Sequence, residues 1–183
     1  MAETTVSFGT SRLMTYGQFW ELPDDLRAEY SDGEAIVNPP PSFRHQKICL
    51  RVRDALTDQL DRGAVVALAV GWQLVERRRL RIPDVVVLTS EPDGDIVTEP
   101  PLVAIEVLST NRSSDLVRKA TEYLDAGAGQ YWIVDPRDRV IDVFVRGEGG
   151  WDQVAKLDDD RGSASIDVPP FGPVTLVLTE LLD

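Results

Sequence analysis

The sequence has little cysteine, little histidine and a shortage of positive charge. Its 183 residues include one cysteine, Cys49, and one histidine, His45. A single cysteine excludes an internal disulfide framework and any zinc site built from cysteines, and a single histidine excludes a metal site built from clustered histidines. The formal net charge of −12 argues against general adhesion to nucleic acids or anionic membranes.

Long apolar runs are also absent. No stretch approaches the ~20 residues that span a bilayer, and residues 1–9 lack the basic start and apolar segment of a secretory signal. We therefore expect a cytoplasmic protein that makes no membrane contact. Because 43% of the residues are hydrophobic, we expect one folded domain over residues 1–183. Its core would cover about 13–145, followed by a hairpin and acidic tail over 146–183.

The charge is unevenly distributed along the chain. Residues 44–81 contain nine Lys and Arg against four Asp and Glu, a net of +5, which leaves −17 for the rest. Residues 147–183 contain eight acids and two bases, a net of −6. This pattern is typical of one charged working face. The alternative is that the basic residues only balance acids elsewhere in the fold.

Apolar periodicity and turn residues predict an α/β fold with a mixed sheet. Helices are predicted over residues 15–22, 42–61 and 114–126. Strands are predicted over 64–70, 72–75, 81–88, 100–108 and 130–134, with hairpins around Asp32-Gly33 and across residues 147–150. A short edge strand and a final helical turn at 178–182 complete the chain. Because strands precede and follow the two longer helices, the sheet is expected to be mixed.

Two acidic residues lie within apolar strands. Glu106 is surrounded by six apolar residues in the segment LVAIEVL, and Asp84 follows Pro83 at the entry to VVVL. A buried carboxylate needs a compensating cation, or its pKa rises. If the two strands are neighbours, both carboxylates converge at one edge of the sheet, where they would bind magnesium with a backbone carbonyl such as that of Val107. Taken singly, Glu106 could instead belong to a buried ion pair, and Asp84 could be a strand-end residue.

Lys119 lies on the predicted helix that follows the Glu106 strand. A lysine beside a metal can orient the attacking water and stabilise negative charge on a phosphate. Lysine is scarce, with three against sixteen arginines. The alternative is a solvated lysine paired with an acidic neighbour on its own helix.

The ordered set Pro83-Asp84, IEVLS around Glu106, Lys119, Tyr123 and QYWIVDP resembles a bacterial family of Uma-type restriction endonucleases within the PD-(D/E)XK nuclease superfamily. The segments LMTYGQFWELPDD and EYSDGEAIVNPPPSFRHQKI resemble the family's opening helix and its acidic hairpin, proline run and next helix. The resemblance covers residues 13–145. It implies a restriction-endonuclease-like α/β/α core.

The resemblance also implies roles for individual residues. Asp84 and Glu106 would bind magnesium or manganese with help from the Val107 carbonyl. The superfamily lysine usually stands two residues after the second acid, a position that Leu108 holds here, so Lys119 would supply it from the next helix. Glu29 would complete the metal shell, while His45 and Tyr123 would line the site.

The predicted activity is metal-dependent hydrolysis of phosphodiester bonds, with DNA as the expected substrate, by a homodimer. Basic residues would hold the phosphate backbone: Arg44, Lys47, Arg51, Arg77, Arg79 and Arg81. Two alternatives stay open. One is a non-catalytic binding or regulatory module on the same fold, acting through protein partners. The other is a structural oligomer whose buried acids are ion-paired with arginines.

Overall fold

The computed structural model describes residues 11–23, 26–109 and 113–183, with only the backbone of residues 113–115. The predicted lack of a secretory signal concerns residues 1–9, which lie outside these ranges. Among the helices that the structure describes, none is long and apolar enough to cross a bilayer.

The elements follow one another in this order: β1 (Ser11–Leu13), α1 (Tyr16–Phe19), β2 (Ala28–Ser31), β3 (Glu34–Val37), α2 (Phe43–Gln59), β4 (Val65–Leu68), β5 (Trp72–Val75), β6 (Arg79–Arg81), β7 (Val85–Leu88), β8 (Val103–Val107), α3 (Ser113–Asp125), β9 (Gln130–Asp135), β10 (Val140–Arg146), β11 (Trp151–Leu157), β12 (Ser163–Asp167), β13 (Pro173–Val177) and α4 (Leu178–Leu182).

A six-stranded sheet forms the centre of the fold, in the order β11-β10-β9-β8-β7-β4. The β8–β9 pair is parallel, and the other neighbours are antiparallel. A parallel pair needs a crossover connection, which α3 supplies. The predicted mixed α/β class is therefore confirmed.

Helices cover both faces of this sheet. Because successive strand residues point to opposite faces, Val85 and Ile105 pack in the same cluster as Ile48 and Val52 of α2. On the other face, Ala104 and Tyr131 pack with Tyr123 of α3 in a second cluster. Ser42 caps the N-terminus of α2, since its Oγ accepts a hydrogen bond from the His45 N–H at 3.2 Å. The arrangement matches the expected α/β/α core.

A second sheet has five strands in the order β1-β3-β2-β6-β5. All of its strands come from residues 11–81. Its own apolar cluster includes Phe19, Tyr30 and Leu80. The predicted hairpin around Asp32-Gly33 is present, and both turn residues adopt positive φ angles of 48° and 99°. Strand β2 pairs with β6, which brings Glu29 next to the segment that leads into β7.

The sequence predicts one strand over residues 81–88, and the structure corrects this. The segment divides into β6, in the five-stranded sheet, and β7, in the central sheet. Pro83 lies between them and has no N–H to donate to a ladder, so the strand ends there. This three-residue link, 82–84, joins the two sheets and places Asp84 immediately before the first residue of β7 in the central sheet.

The last part of the chain packs on the α2 side of the central sheet. The predicted short edge strand is one half of an antiparallel hairpin, β12–β13, and the predicted final helical turn is α4. Ile166, Val174 and Leu176 of the hairpin are buried in the same cluster as α2. Residues 146–183 therefore supply core side chains as well as surface charge.

Candidate active site

Asp84 lies where β7 begins, opposite the end of β8. Val85 pairs with Ile105, and the backbone N–H of Asp84 donates to the Ile105 carbonyl at 3.0 Å. One carboxylate oxygen, Oδ2, accepts the N–H of Val107 at 2.9 Å. The side chain is 3% exposed. The strand register thus fixes this carboxylate beside the Glu106 segment, as the sequence predicts.

Glu106 is buried on the α3 side of β8. Its Oε1 accepts hydrogen bonds from the Lys119 Nζ at 2.9 Å and from the Tyr123 hydroxyl at 2.7 Å. Burial raises the pKa of Glu106 to about 7, and the carboxylates of Asp84 and Glu29 add to the rise while Lys119 opposes it. A carboxyl group whose pKa lies close to neutral pH is typical of a functional site.

Lys119 joins two acids that come from different sheets. Its Nζ lies 2.9 Å from Glu106 and 3.0 Å from the Oε1 of Glu29 on β2. The Glu29 oxygen also accepts the Ile82 N–H at 3.1 Å. Burial alone would raise the pKa of Glu29, but Lys119 and Arg81 bring it below its usual value. Lys119 and Tyr123 stand one helical turn apart, so both reach Glu106 from the same face of α3.

Arg81 has a structural position rather than the predicted phosphate-binding one. Its side chain is fully buried, and its guanidinium donates to Glu122 through Nε at 2.7 Å and Nη2 at 2.9 Å. It also lies 3.4 Å from Glu29. A guanidinium enclosed by two carboxylates cannot reach a nucleic-acid backbone, so Arg81 is removed from the predicted binding set. Its positive charge instead helps to lower the pKa of Glu29, and Glu29 in turn forms an ion pair with Lys119.

Arg27 also belongs to the site, and no sequence motif predicts it. Its Nη2 donates to the Oδ1 of Asp84 at 2.8 Å, and its side chain is 22% exposed. Its Nε is buried without a hydrogen-bond partner. Arg27 and Glu29 are two positions apart, with only Ala28 between them, which places both on one face of an extended chain entering β2. This spacing is the one local signal for Arg27, and it does not indicate the contact with Asp84.

His45 also contacts Asp84, from α2. The distance from its Nε2 to the Oδ1 of Asp84 is 3.2 Å, and the residue is 8% exposed. Cys49, one turn further along α2, is buried near the same carboxylate. Burial raises the pKa of the Cys49 thiol to about 12, with Asp84 adding to the rise. The sole histidine and the sole cysteine therefore both adjoin the predicted catalytic acid.

A cleft of about 1040 Å³ opens beside these residues. Its walls include Arg27, His45, Arg44, Pro40, Leu108 and Arg137. The lining combines these cationic side chains with proline rings and two acidic residues, Asp135 and Asp138, and its volume is at the upper end of the range typical of ligand clefts. It connects the surface to the Asp84 side of the site.

The remaining predicted basic residues do not form one surface. Arg44 is exposed at the cleft and donates to the Pro136 carbonyl at 3.0 Å, while Lys47 donates to the Asp183 carbonyl at 3.0 Å. Arg51 is half-buried on the same helix. Two others lie at the five-stranded sheet: the Arg79 Nε donates to Asp32 at 2.8 Å, and Arg77 lies 6.0 Å from the Tyr16 ring.

The oxygen donors of Asp84 and Glu106 fit a hard divalent cation. The acids lie at the ends of adjacent strands, and the pKa of Glu106 is raised by burial and by the neighbouring carboxylates. The main chain of Val107 adjoins Asp84 through its N–H, a contact the sequence does not reveal. The Val107 carbonyl stays a predicted ligand.

Comparison with protein-family models gives a match to the family described as "Uma2: Putative restriction endonuclease", over residues 16–178. The chain belongs to the Uma2 family. The resemblance read from the sequence is thereby confirmed. No curated protein matches the chain significantly.

A solved structure is similar to this Uma2 chain over nearly all of its length. It is described as "a putative nuclease belonging to DUF820" from Anabaena variabilis ATCC 29413. The TM-score is 0.74 and the sequence identity 21%, and the match covers 92% of this chain and 97% of the other. At that identity the likeness supports the fold.

The lysine position distinguishes this Uma2 chain from the usual superfamily pattern. Leu108, which occupies the usual lysine position, lines the cleft. Lys119 places its amine on Glu106 from α3 instead. The geometry therefore accommodates the departure that the sequence shows.

Proposed function

We propose that this protein is a metal-dependent endonuclease that hydrolyses phosphodiester bonds, with DNA as its expected substrate. The observation that carries the proposal is that Asp84 and Glu106 lie at the ends of adjacent strands, close enough for the Asp84 charge to raise the pKa of Glu106, with the Lys119 amine 2.9 Å from Glu106. The order of these two acids and this lysine along the chain is the order expected from the family resemblance. Membership in the family described as "Putative restriction endonuclease" supports the same activity.

Asp84 and Glu106 would hold magnesium or manganese, with the Val107 carbonyl as a third ligand and Glu29 completing the shell. The donor set fits, because hard carboxylate oxygens suit these ions and because a cation would relieve the repulsion of Glu106 by the nearby Asp84 and Glu29 carboxylates. When bound, such an ion would polarise the scissile phosphate and acidify a water molecule.

The protein's own residues would orient the reactants. Lys119 would position the attacking water and stabilise charge on the phosphate. Glu29 holds the Lys119 amine at 3.0 Å, and Tyr123 orients Glu106 through its hydroxyl. Arg27 would leave Asp84 and turn towards a phosphate in the adjoining cleft.

Nucleic acid would enter through the cleft lined by Arg27, Arg44 and Arg137. Because the whole protein carries a formal charge of −12, binding would depend on this local basic surface and weaken steeply with salt. Lys47, Arg51, Arg77 and Arg79 would add phosphate contacts outside the cleft. The predicted homodimer would be tested by sedimentation velocity, and the predicted cytoplasmic location by cell fractionation.

The decisive experiment combines calorimetry with cleavage. Titration with magnesium or manganese should show binding in the original protein, and Glu106→Gln should abolish it. Cleavage of plasmid, single-stranded and RNA substrates at low salt should fall on the order of a hundredfold or more in Glu106→Gln and cease with chelator. The control Asp93→Asn changes an exposed acid of the β7–β8 connection and should leave both readouts intact.

Glu106→Gln is a cleaner probe than an Asp84 variant, because Asp84 also accepts the Val107 N–H. Cleavage that survives Glu106→Gln and chelator would place the chemistry elsewhere. Absence of metal binding at millimolar concentrations would refute the endonuclease proposal.

A second candidate function is a non-catalytic binding module. It is favoured by the fact that each acid already has a cationic partner in the protein, Arg27 for Asp84 and Lys119 for Glu106. Under this alternative, Glu106→Gln would alter stability but change neither metal nor nucleic-acid binding.

A further inference from the structure

Three residues of different chemistry converge on the α2 side of Asp84. His45 and Cys49 stand four residues apart on α2, so both side chains lie on one face of the helix. Asp84 meets them from the start of β7. One ligand atom from each residue, an imidazole nitrogen, the thiol sulfur and a carboxylate oxygen, lies within 4.8 Å of the other two.

This donor set differs from the oxygen set of Asp84 and Glu106. Magnesium prefers oxygen ligands, whereas a thiolate with an imidazole favours zinc or another late transition metal. A single cysteine and a single histidine exclude sites built from several of either, but they leave this mixed set open. We propose that His45, Cys49 and Asp84 form a second metal site, selective for zinc-like ions.

The surroundings permit a metal to enter and complete its coordination. His45 lines the cleft, so a water molecule could supply the fourth ligand of a tetrahedral centre. Two interactions would change on binding: the 3.2 Å contact between His45 and Asp84, and the Arg27 hydrogen bond to the same oxygen. The Cys49 thiol would lose its proton to solvent as the sulfur binds the ion.

The two metal sites share one ligand. The Oδ2 of Asp84 accepts the Val107 N–H, which leaves Oδ1, the oxygen beside His45, as the oxygen open to either ion. We therefore expect occupancy of the mixed site to compete with magnesium. Zinc-like ions would therefore inhibit the proposed endonuclease through a defined residue. The mixed site itself rests on the cluster geometry and does not require the protein to be a nuclease.

Cobalt titration tests the site with a direct spectroscopic signal. Cys49 is the only cysteine in the sequence, so a thiolate-to-cobalt charge-transfer band can arise from no other residue. We expect this band to saturate at one cobalt per chain and to be displaced by zinc. Cys49→Ser should abolish it, and His45→Ala should weaken cobalt binding at least about tenfold.

Glu106→Gln is the matched control, because Glu106 lies outside the mixed set. This variant should keep the charge-transfer band while losing magnesium binding, which separates failure of this proposal from failure of the endonuclease proposal. Thermal unfolding would verify that each variant is folded. A missing band in the folded original protein, a band retained in Cys49→Ser, or saturation at one cobalt per two chains would overturn the inference.

Discussion

Replacing Lys119 with methionine tests the buried charge network directly. Methionine keeps most of the side-chain length but removes the amine that contacts Glu29 and Glu106 at 3.0 and 2.9 Å. Lys119 is 2% exposed, so water cannot replace the lost cation. Loss of one member of a buried ion pair costs about 3–5 kcal/mol, because the remaining charge stays uncompensated.

The cost should depend on pH with a definite sign. Burial holds the pKa of Glu106 at about 7 in the folded protein, whereas an unfolded glutamate titrates near its ordinary value. A raised folded pKa means that stability is lost as pH rises through that value. Lys119 lowers the pKa of Glu106, so its removal should raise the folded pKa further. Each further unit increases the stability recovered on lowering the pH from about 8 to about 5.5 by about 1.4 kcal/mol, relative to the original protein.

The assay is urea unfolding followed by circular dichroism at these two pH values. Lys119→Met should lose about 3–5 kcal/mol at the higher pH and about 1.4 kcal/mol less at the lower pH for each unit by which the Glu106 pKa rises further. The double variant Lys119→Met with Glu106→Gln should recover part of the loss at the higher pH, because one of the stranded charges is gone. Equal losses at both pH values would refute the assignment of Glu106 as the group that takes up a proton.

Three further outcomes are expected. Arg81→Leu leaves the buried Glu122 without its cationic partner and should cost about 3–5 kcal/mol in urea unfolding. Arg77→Ala removes only an exposed contact with the Tyr16 ring and should cost no more than about 1 kcal/mol; equal losses in the two variants would contradict the buried pair. Gly129→Ala would place a Cβ 2.8 Å from the Leu102 carbonyl oxygen and should cost about 1–3 kcal/mol, while Gly149→Ala, with open space around it, should be tolerated. Arg44→Ala should reduce the salt slope of DNA binding by about one unit, and an unchanged slope would place the phosphate path elsewhere.

Local sequence signals predicted much of the fold. The cap at Ser42, the apolar stripe of α2 and the positive-φ turn at Asp32-Gly33 are encoded by neighbouring residues. The proximity of Asp84 to the Glu106 strand was expected on the condition that the two strands are neighbours, and β7 and β8 do pair. Lys119 was a candidate from its place on the helix after the Glu106 strand, and the family resemblance implied its role.

Other features depend on distant contacts and could not be predicted locally. Arg81 looks like one more residue of a basic run, and its burial becomes evident only when Glu122 is brought alongside it. The link at residues 82–84 could not be predicted, because the local sequence does not show that two sheets meet at Pro83. Arg27 was overlooked because an arginine before a strand is ordinary surface sequence until Asp84 faces it.

The antiparallel pairing of β7 and β8 keeps the loop that connects them away from the candidate site. Asp84 and Glu106 lie at one end of this strand pair, whereas the connection between the strands leaves from the opposite end. Residues 91–95 of that connection are exposed, and a Cβ added at Gly94 would meet no atom within 4 Å. This stretch is a suitable position for a fluorophore or an inserted peptide tag, which would report on the protein without disturbing either proposed metal site.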